Sequence, residues 1–148
     1  YAIENVIGGS GHDSITGNFE DNFLAGGAGR DVIRGLAGDD LILGGMGNDR
    51  MTGGAGADTF MFFRELNQTV FNFGRDVITD FDAISLTHDV LKIDNRMFAS
   101  FDDMVLANAI VQRGRDVVIT YDIDNTITLQ GVSLAALTAN AAADFMFV

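Results

Sequence analysis

Residues 8–61 read GGSGHDSIT-GNFEDNFLA-GGAGRDVIR-GLAGDDLIL-GGMGNDRMT-GGAGADTFM, which are six consecutive units of nine residues. Glycine opens every unit. The sixth position of the units holds Asp13, Asn22, Asp31, Asp40, Asp49 and Asp58. The eighth position is apolar and holds Ile15, Leu24, Ile33, Ile42, Met51 and Phe60. A fixed period this short indicates a solenoid, in which each unit buries its apolar side chain only against neighbouring units.

Each unit is predicted to form a turn followed by a short strand. Glycines at the first, second and fourth positions permit positive φ angles and close approaches of the backbone. The last three positions point outward, inward and outward, which is the pattern of a three-residue strand. Two units therefore form one coil of 18 residues, with odd-numbered units stacked on one side and even-numbered units on the other.

This stacking brings acidic side chains together in columns. One column contains Asp13, Asp31 and Asp49, and the other contains Asn22, Asp40 and Asp58. Coils about 4.8 Å apart place carboxylates where each pair repels by about 3 kcal/mol at an effective dielectric constant of about 20. Several such pairs approach the stability of a whole small domain, about 5–15 kcal/mol. A cation is therefore expected between successive coils.

The turns offer that cation oxygen ligands, namely exposed carbonyl groups and carboxylates. The chain has no Cys, and neither His12 nor His88 occupies a repeated position. An all-oxygen shell favours calcium over magnesium, which requires stricter octahedral geometry. A flexible Gly-rich linker would lack the apolar residue in every unit. A dinucleotide-binding fingerprint requires a preceding strand and a following helix, whereas here another glycine turn follows.

The composition limits the class of protein. With 148 residues, 47% of them hydrophobic, the chain is long enough for one or two small domains with a core. A net charge of −12 argues against nucleic acid or an anionic membrane as a partner. No apolar run has the length of a membrane span, and the first residues do not form a conventional secretory signal. The abrupt start at Tyr1 suggests a piece of a longer protein.

Outside the repeats, short strands and helices are predicted. Residues 1–7 form a strand, in which Glu4 either lends a ligand to the first turn or faces solvent. Phe60, Phe62 and Phe63 close the solenoid. The predicted segments that come next are a loop over 64–73, strands over 76–81, 89–93, 110–112, 116–121 and 126–130, and helices over 100–109 and from Ser133 to Leu137.

Two acidic groups lie in this second part of the chain. Asp80, Asp82 and Asp89 either cap the last coil, completing one more ion site above Asp49, or are simply solvated. The chain ends with Asp144, Phe145, Met146, Phe147 and Val148. By itself this terminal segment is consistent with a final strand packed into the core.

The chain resembles the C-terminal part of serralysin-type secreted metalloproteases and related RTX (repeats-in-toxin) proteins. The resemblance rests on IENVIGGSG (3–11), the repeats, GADTFMF (56–62), DVITDFD (76–82), DVVITYD (116–122), TITLQGVSLAALT (126–138) and DFMFV (144–148). It implies an all-β fold: a right-handed parallel β-roll over 1–63, then a β-rich capping module over 64–148 with one or two short helices. It also implies that residues 144–148 belong to a signal read by a type I export machine.

The resemblance further implies how each ion is held. A turn supplies the carbonyl groups of its second and fourth positions and its aspartate, and the turn one coil later supplies the carbonyl groups of its first and third positions and its own aspartate. The implied sites join Gly9, Gly11 and Asp13 to Gly26, Ala28 and Asp31; Gly27, Gly29 and Asp31 to Gly44, Met46 and Asp49; and Leu36, Gly38 and Asp40 to Gly53, Ala55 and Asp58. Gly45 and Gly47 occupy the same positions in the fifth turn. The site that joins Asn18, Glu20 and Asn22 to Gly35, Ala37 and Asp40 lacks one carboxylate and should be weaker or empty.

Three functions are compatible with these features. The first is a non-catalytic, secreted calcium-binding module that folds on extracellular calcium, carries the export signal and lies after an upstream domain. The second is an enzyme, but the chain has no HExxH motif and no recognisable nucleophile beside a His, so a catalytic domain, such as a serralysin-like protease, would lie upstream of Tyr1. The third is an adhesion or polysaccharide-binding module.

Overall fold

The computed structural model describes residues 5–63 and 71–148. Strands account for 45% of the structure and helices for 12%, which confirms the all-β class. The predicted ligand Glu4 and most of the predicted loop after Phe63 lie outside the described residues.

The strands and helices of the described residues are, in chain order, β1 (Asn5–Ile7), β2 (Ser14–Thr16), β3 (Phe23–Gly29), β4 (Val32–Ala37), β5 (Leu41–Gly47), β6 (Arg50–Ala55), β7 (Thr59–Phe62), β8 (Arg75–Ile78), β9 (Val90–Ile93), α1 (Phe101–Leu106), β10 (Ile110–Arg113), β11 (Asp116–Thr120), β12 (Thr126–Leu129), α2 (Leu134–Asp144) and β13 (Phe145–Phe147).

Two sheets face each other across the core. The first sheet has the order β1-β3-β5-β7-β9-β13 and the second has the order β10-β11-β12-β8-β6-β4-β2. Within the repeats all pairing is parallel, and Phe23 lies beside Leu41 just as Leu41 lies beside Thr59. Residues 18 positions apart are therefore neighbours, as the nine-residue period predicts. Odd units form β2, β4 and β6, and even units form β3, β5 and β7.

The strands of the repeats are longer than predicted. Strands β3 and β5 have seven residues and β4 and β6 have six, whereas the pattern predicted three. Backbone pairing continues through the glycine turns, so that Gly27 pairs with Gly45 and Leu36 pairs with Gly54. The apolar alternation could not reveal this extension because glycine has no side chain to point inward or outward.

The core is built from the eighth position of each unit. Leu24, Ile33, Ile42, Met51 and Phe60 have 0% exposure. Phe62 is also buried, and its ring packs edge-to-face on that of Phe73, with centroids 5.5 Å apart. Phe63 is 40% exposed, so the prediction that it closes the solenoid is wrong. It comes directly after Phe62 in the chain and points to the opposite face.

Both sheets continue beyond residue 63. Strand β8 pairs with β6, β9 pairs with β7, and β12 and β13 extend the sheets further in parallel. Only β10, β11 and β12 pair antiparallel among the described strands. The division of the chain at residue 63 into two domains stays a prediction.

The C-terminal elements agree with the sequence in type more than in length. Ser100 and Ser133 cap α1 and α2, as predicted, with side-chain oxygens that accept the N–H groups of Asp103 and Ala136. Helix α2 reaches Asp144, seven residues beyond the predicted end at Leu137, with a kink at Asn140, whose φ of −119° and ψ of 16° are not helical. The last residues form β13, which confirms the predicted final strand. Neither described helix has the length and apolar character needed to cross a membrane.

Candidate metal centre

The sixth-position side chains form two ladders along the roll. The backbone N–H of Asp13 donates to Oδ1 of Asp31, and that of Asp31 donates to Oδ1 of Asp49, both over 2.8 Å. On the other edge the N–H of Asp40 donates to Oδ1 of Asp58 over 2.9 Å. Each carboxylate is thus turned toward the preceding coil and lies inside the stack of turns, as the column prediction requires.

The second oxygen of most of these carboxylates has no partner; in Asp13 it accepts the N–H of Gly9 over 3.0 Å. Buried Oδ2 atoms without a hydrogen bond occur on Asp31, Asp40, Asp49, Asp58 and Asp76. Burial raises the pKa of Asp49 to about 6 and that of Asp58 to about 7, against the hydrogen bonds that lower both. A buried carboxylate oxygen without a partner is strongly unfavourable. A cation placed beside Oδ2 would remove that cost.

The glycine that opens each unit makes room beside Oδ2. A Cβ atom built on Gly26 would lie 2.4 Å from Oδ2 of Asp31 and 2.5 Å from the carbonyl oxygen of Gly44. At Gly35 the same atom would lie 1.9 Å from Oδ2 of Asp40 and 2.5 Å from the carbonyl oxygen of Gly53. The carboxylate and the next coil's carbonyl therefore converge on one place. Such a set of hard oxygen atoms fits calcium.

Several carbonyl groups predicted as ligands already link adjacent turns. The carbonyl of Gly9 accepts the N–H of Ala28 over 2.8 Å, and that of Ala28 accepts the N–H of Gly11 over 2.7 Å. On the other edge the carbonyl of Ala55 accepts the N–H of Gly38 over 3.0 Å. Each carbonyl oxygen retains a second lone pair. The groups therefore lie between the predicted turns and keep acceptor capacity for an ion.

The degenerate second unit differs in a way that the sequence did not reveal. The Nδ2 group of Asn22 donates to the carbonyl of Glu20 over 2.7 Å and to Oδ1 of Asn18 over 3.1 Å. Its Oδ1 accepts the N–H of Asn18 over 2.7 Å. An amide donor thus satisfies a carbonyl that in the other units would face a cation.

The ends of the ladders correct one prediction. Above Asp49 lies Asp76, whose Oδ1 accepts the N–H of Asp49 over 2.8 Å, and not Asp80, Asp82 or Asp89. Asp89 instead extends the other ladder, accepting the N–H of Asp58 over 2.9 Å. Asp80 accepts the N–H groups of Gly53 and Gly54. Asp82 is not simply solvated either, because its Oδ1 accepts the N–H groups of Ile84 and Ser85.

A signal for Asp76 was present in the sequence. The residues around it read GRDVI (74–78), which repeats GRDVI (29–33) around Asp31. Asp76 follows Asp58 by 18 residues and so keeps the nine-residue phase, but the residues between them do not fit the repeat and hide it. Burial raises the pKa of Asp76 to about 9 and that of Asp89 to about 6. Both residues therefore share the environment of the repeat aspartates.

Two further ladders run along the fifth positions at the surface, one on each edge of the roll. Nδ1 of His12 accepts the N–H of Arg30, and Oδ1 of Asp39 accepts that of Ala57, both over 2.8 Å. His12 is exposed and has a structural role in the turn. Within residues 5–63 and 71–148, no three His or acidic side chains converge closely enough to hold a metal by themselves. An ion between the turns therefore needs backbone carbonyl ligands.

Comparison with known proteins places this geometry in a family. The model of the RTX calcium-binding nonapeptide repeat (4 copies) matches residues 2–33 and 26–60. The solution structure of the AlgE6R2 subunit of the mannuronan C5-epimerase of Azotobacter vinelandii is 32% identical, with a TM-score of 0.70, over 96% of this chain and 91% of that chain. The chain belongs to the RTX family. The nonapeptide repeats of RTX proteins bind calcium, which is the ion that the oxygen-lined turns fit.

Other solved structures share this RTX fold. The AlgE6R3 subunit of the same epimerase is 27% identical, with a TM-score of 0.65, over 97% of this chain and 82% of that chain. The extracellular lipase LipA of Serratia marcescens is 22% identical, with a TM-score of 0.70; the match covers 100% of this chain but 21% of the lipase, and shows the fold alone. No curated protein sequence matches the chain significantly.

Proposed function

We propose that this RTX chain is a non-catalytic module that folds when calcium binds between its turns. The observation that supports this most is the set of buried Oδ2 atoms without partners on the two aspartate ladders. In the absence of an ion these atoms oppose folding, and with calcium they become ligands. Because the ion binds the folded state, its binding free energy adds to the stability of the fold.

The ligand sets in this proposal are arranged along the ladders. Each ion lies between two stacked turns and takes the carboxylates of both, together with the carbonyl groups that the family resemblance implies. The Asn22–Asp40 pair forms the weakest site, because the Asn22 amide already satisfies the Glu20 carbonyl. At the far ends, Asp76 joins Asp49 and Asp89 joins Asp58. Asp80 adds negative charge near Asp58.

The same proposal includes export. Without calcium the repeats repel one another and stay unfolded, which suits passage through the narrow channel of a type I (ABC) exporter. Residues 144–148 act as the signal for this exporter. A domain upstream of the chain is exported together with the roll (residues 1–63) and the capping module (residues 64–148). Outside the cell, calcium is abundant enough for sites with a Kd of about 10⁻⁴–10⁻³ M. The module then folds and lends its stability to that upstream domain.

Calcium titration tests the folding proposal. Far-UV circular dichroism of metal-free protein should show a gain of β structure as calcium is added, with little effect of magnesium at the same concentration. Scanning calorimetry should show a Tm that rises with calcium concentration. Equal β content in chelator and in calcium would contradict the proposal.

The export proposal needs a separate experiment. A reporter fused upstream of the chain is co-expressed with a type I exporter, with and without deletion of residues 144–148. Secretion of the intact fusion and retention of the truncated one is the expected result. Equal secretion of both would show that the signal lies elsewhere.

A second candidate function is binding of an anionic polysaccharide. The outward positions of β2, β4, β6 and β8 contain no acidic residue and carry exposed Arg34, Arg50 and Arg75, although the chain has a net charge of −12. The similarity to two subunits of a mannuronan C5-epimerase suggests a uronic-acid polymer as the ligand. Calorimetry with mannuronan should then show binding that is lost in the double variant Arg34→Ala, Arg50→Ala and kept in Arg115→Ala, a control in an exposed turn. Absence of binding by the unmodified chain would exclude this function.

A further inference from the structure

Asp144 is a buried acidic residue that the repeat sites do not use. It ends α2 and directly precedes β13, and it has 0% exposure. Neither of its carboxylate oxygens has a hydrogen-bond partner. Five ladder aspartates each leave one buried oxygen unpaired, whereas Asp144 leaves both. An ionised carboxylate in this state is strongly unfavourable without a positive partner.

The fold brings Asp144 to the end of the second ladder. Strand β13 runs parallel to β9, with Phe145 beside Leu91, so the residues just before the two strands lie at the same edge of the sheet. Asp144 directly precedes β13 and Asp89 directly precedes β9. In this register the two positions are offset by one residue. The Nδ2 group of Asn140 donates to the carbonyl of Ala83 over 2.8 Å, which fixes the end of α2 above the 82–89 loop.

The surroundings of Asp144 are mainly negative. The charged side chains that act on it electrostatically are His88, Asp82 and Asp89. The two oxygens of Asp89 accept the N–H groups of Asp58 and Asp82, each over 2.9 Å. The C-terminal end of a helix adds partial negative charge from its unpaired carbonyl groups. One His cannot neutralise three carboxylates, and His88 makes no hydrogen bond to Asp144.

We propose that Asp144 and Asp89, together with backbone carbonyl groups at the end of α2 and in the 82–89 loop, bind a calcium ion outside the nonapeptide repeats. Asp82 supplies further negative charge at this site. The ion joins the last coil to β13, so the C-terminal strand docks on the roll only when calcium is bound. The first residue of the proposed export signal thereby becomes a ligand in the folded protein.

The test compares calcium stoichiometry in variants. Asp144→Asn and Asp82→Asn are titrated against a chromophoric calcium chelator, beside the unmodified chain and Asp102→Asn, a matched change at an exposed residue of α1. Asp144→Asn should bind one ion fewer per chain and Asp82→Asn should bind that ion more weakly, while Asp102→Asn is unchanged. Hydrogen exchange at Phe145, Met146 and Phe147 should become faster in Asp144→Asn while that of β3 and β5 stays slow.

The competing interpretation is an ion pair between Asp144 and protonated His88. In that case Asp144→Asn and His88→Gln would destabilise the protein equally and leave the calcium count unchanged. That result would overturn the terminal site without affecting the proposed function. Failure of the unmodified chain to bind any calcium would instead overturn the proposed function.

Discussion

At the scale of single residues, the two oxygens of the sixth-position carboxylate have different roles in the turn. Oδ1 of the sixth-position aspartate is used by the fold itself, because it accepts the N–H of the preceding coil. In Asp31, Asp40, Asp49 and Asp58 the Oδ2 atom is buried and unpaired, which leaves it available to an ion in the proposed sites. The second unit shows the alternative, in which an amide of Asn22 completes the turn without an ion.

The Asn22→Asp substitution should therefore convert the second unit into a calcium-dependent turn. It removes the donor to the Glu20 carbonyl, so the metal-free form should lose about 1–3 kcal/mol of stability. In return the variant should bind one ion more tightly than the unmodified chain. Chelator competition measures the binding, and Asn108→Asp, which adds the same charge in a distant exposed turn, is the control. Weaker calcium binding by Asn22→Asp would contradict the ligand assignment.

Substitution of the glycine that opens a unit should also lower stability and weaken calcium binding, for a steric reason. A Cβ atom at Gly35 would lie 1.9 Å from Oδ2 of Asp40, whereas one at Gly9 would have nothing within 4 Å. Gly35→Ala should lower the stability by about 1–3 kcal/mol through overpacking and weaken calcium binding. Gly9→Ala is the matched control and should change neither property. Chemical unfolding at saturating calcium gives the comparison.

At the scale of elements, strands outside the repeats complete the ladders. Strand β8 positions Asp76, and Asp89 directly precedes β9, so each ladder gains one aspartate from outside the six repeats. The C-terminal elements then cover the end of the roll. Helix α2 contributes to this cover, because it carries both Asn140 and Asp144.

The cap of α2 should therefore matter for the C-terminal strand. In Ser133→Ala the N–H of Ala136 loses the side-chain oxygen that accepts it over 3.1 Å and keeps only the carbonyl oxygen of residue 133. A lost N-cap typically costs about 1 kcal/mol. We expect a loss of that size in chemical unfolding and faster hydrogen exchange in β13. Ser14→Ala, on the exposed face of β2, should be nearly neutral; equal losses in both variants would mean that the cap contributes nothing.

At the scale of the whole molecule, the two sheets form one continuous structure with acidic residues stacked inside its turns. The ladders run from the first coil to Asp76 and Asp89. Among the described residues, the buried Oδ2 atoms without a hydrogen-bond partner are those of Asp31, Asp40, Asp49, Asp58 and Asp76. The fold is therefore electrostatically incomplete without cations, and its stability should depend strongly on pH.

The sign of that dependence can be derived from the raised pKa values. Burial raises the pKa of Asp49 and Asp89 to about 6, that of Asp58 to about 7 and that of Asp76 to about 9, whereas an unfolded aspartate has a pKa near 3.9. The metal-free fold thus holds more protons than the unfolded chain. Its stability should be greatest at about pH 4 and fall as the pH rises through 6–9.

Calcium should reverse this trend. Bound calcium requires ionised carboxylates, so protons compete with it and the calcium-loaded fold should lose stability toward acid. Circular dichroism of calcium-stripped and calcium-saturated protein across pH 4–9 measures both curves. Parallel curves with and without calcium would mean that the buried carboxylates and the ion do not share a site.

The sequence by itself determined the repeating part of the fold. The nine-residue period fixed the coil length, the two columns of acidic residues and the inward column of apolar residues, because each depends only on neighbours at constant spacing. It also predicted calcium, since the turns offer only oxygen ligands. The chain beyond residue 63 has no such period, and there the sequence predicted the types of most elements but not their partners.

The tertiary structure alone decided which residues complete the ladders. Asp76 and Asp89 reach their places through strands that pair with β6 and β7, and the sequence pattern does not predict that pairing. The burial of Asp144 and the amide bond from Asn22 to Glu20 likewise depend on contacts between segments that packing brings together. The repeats form through contacts between neighbouring units, whereas the closure of the roll depends on pairing between strands that are far apart in the sequence.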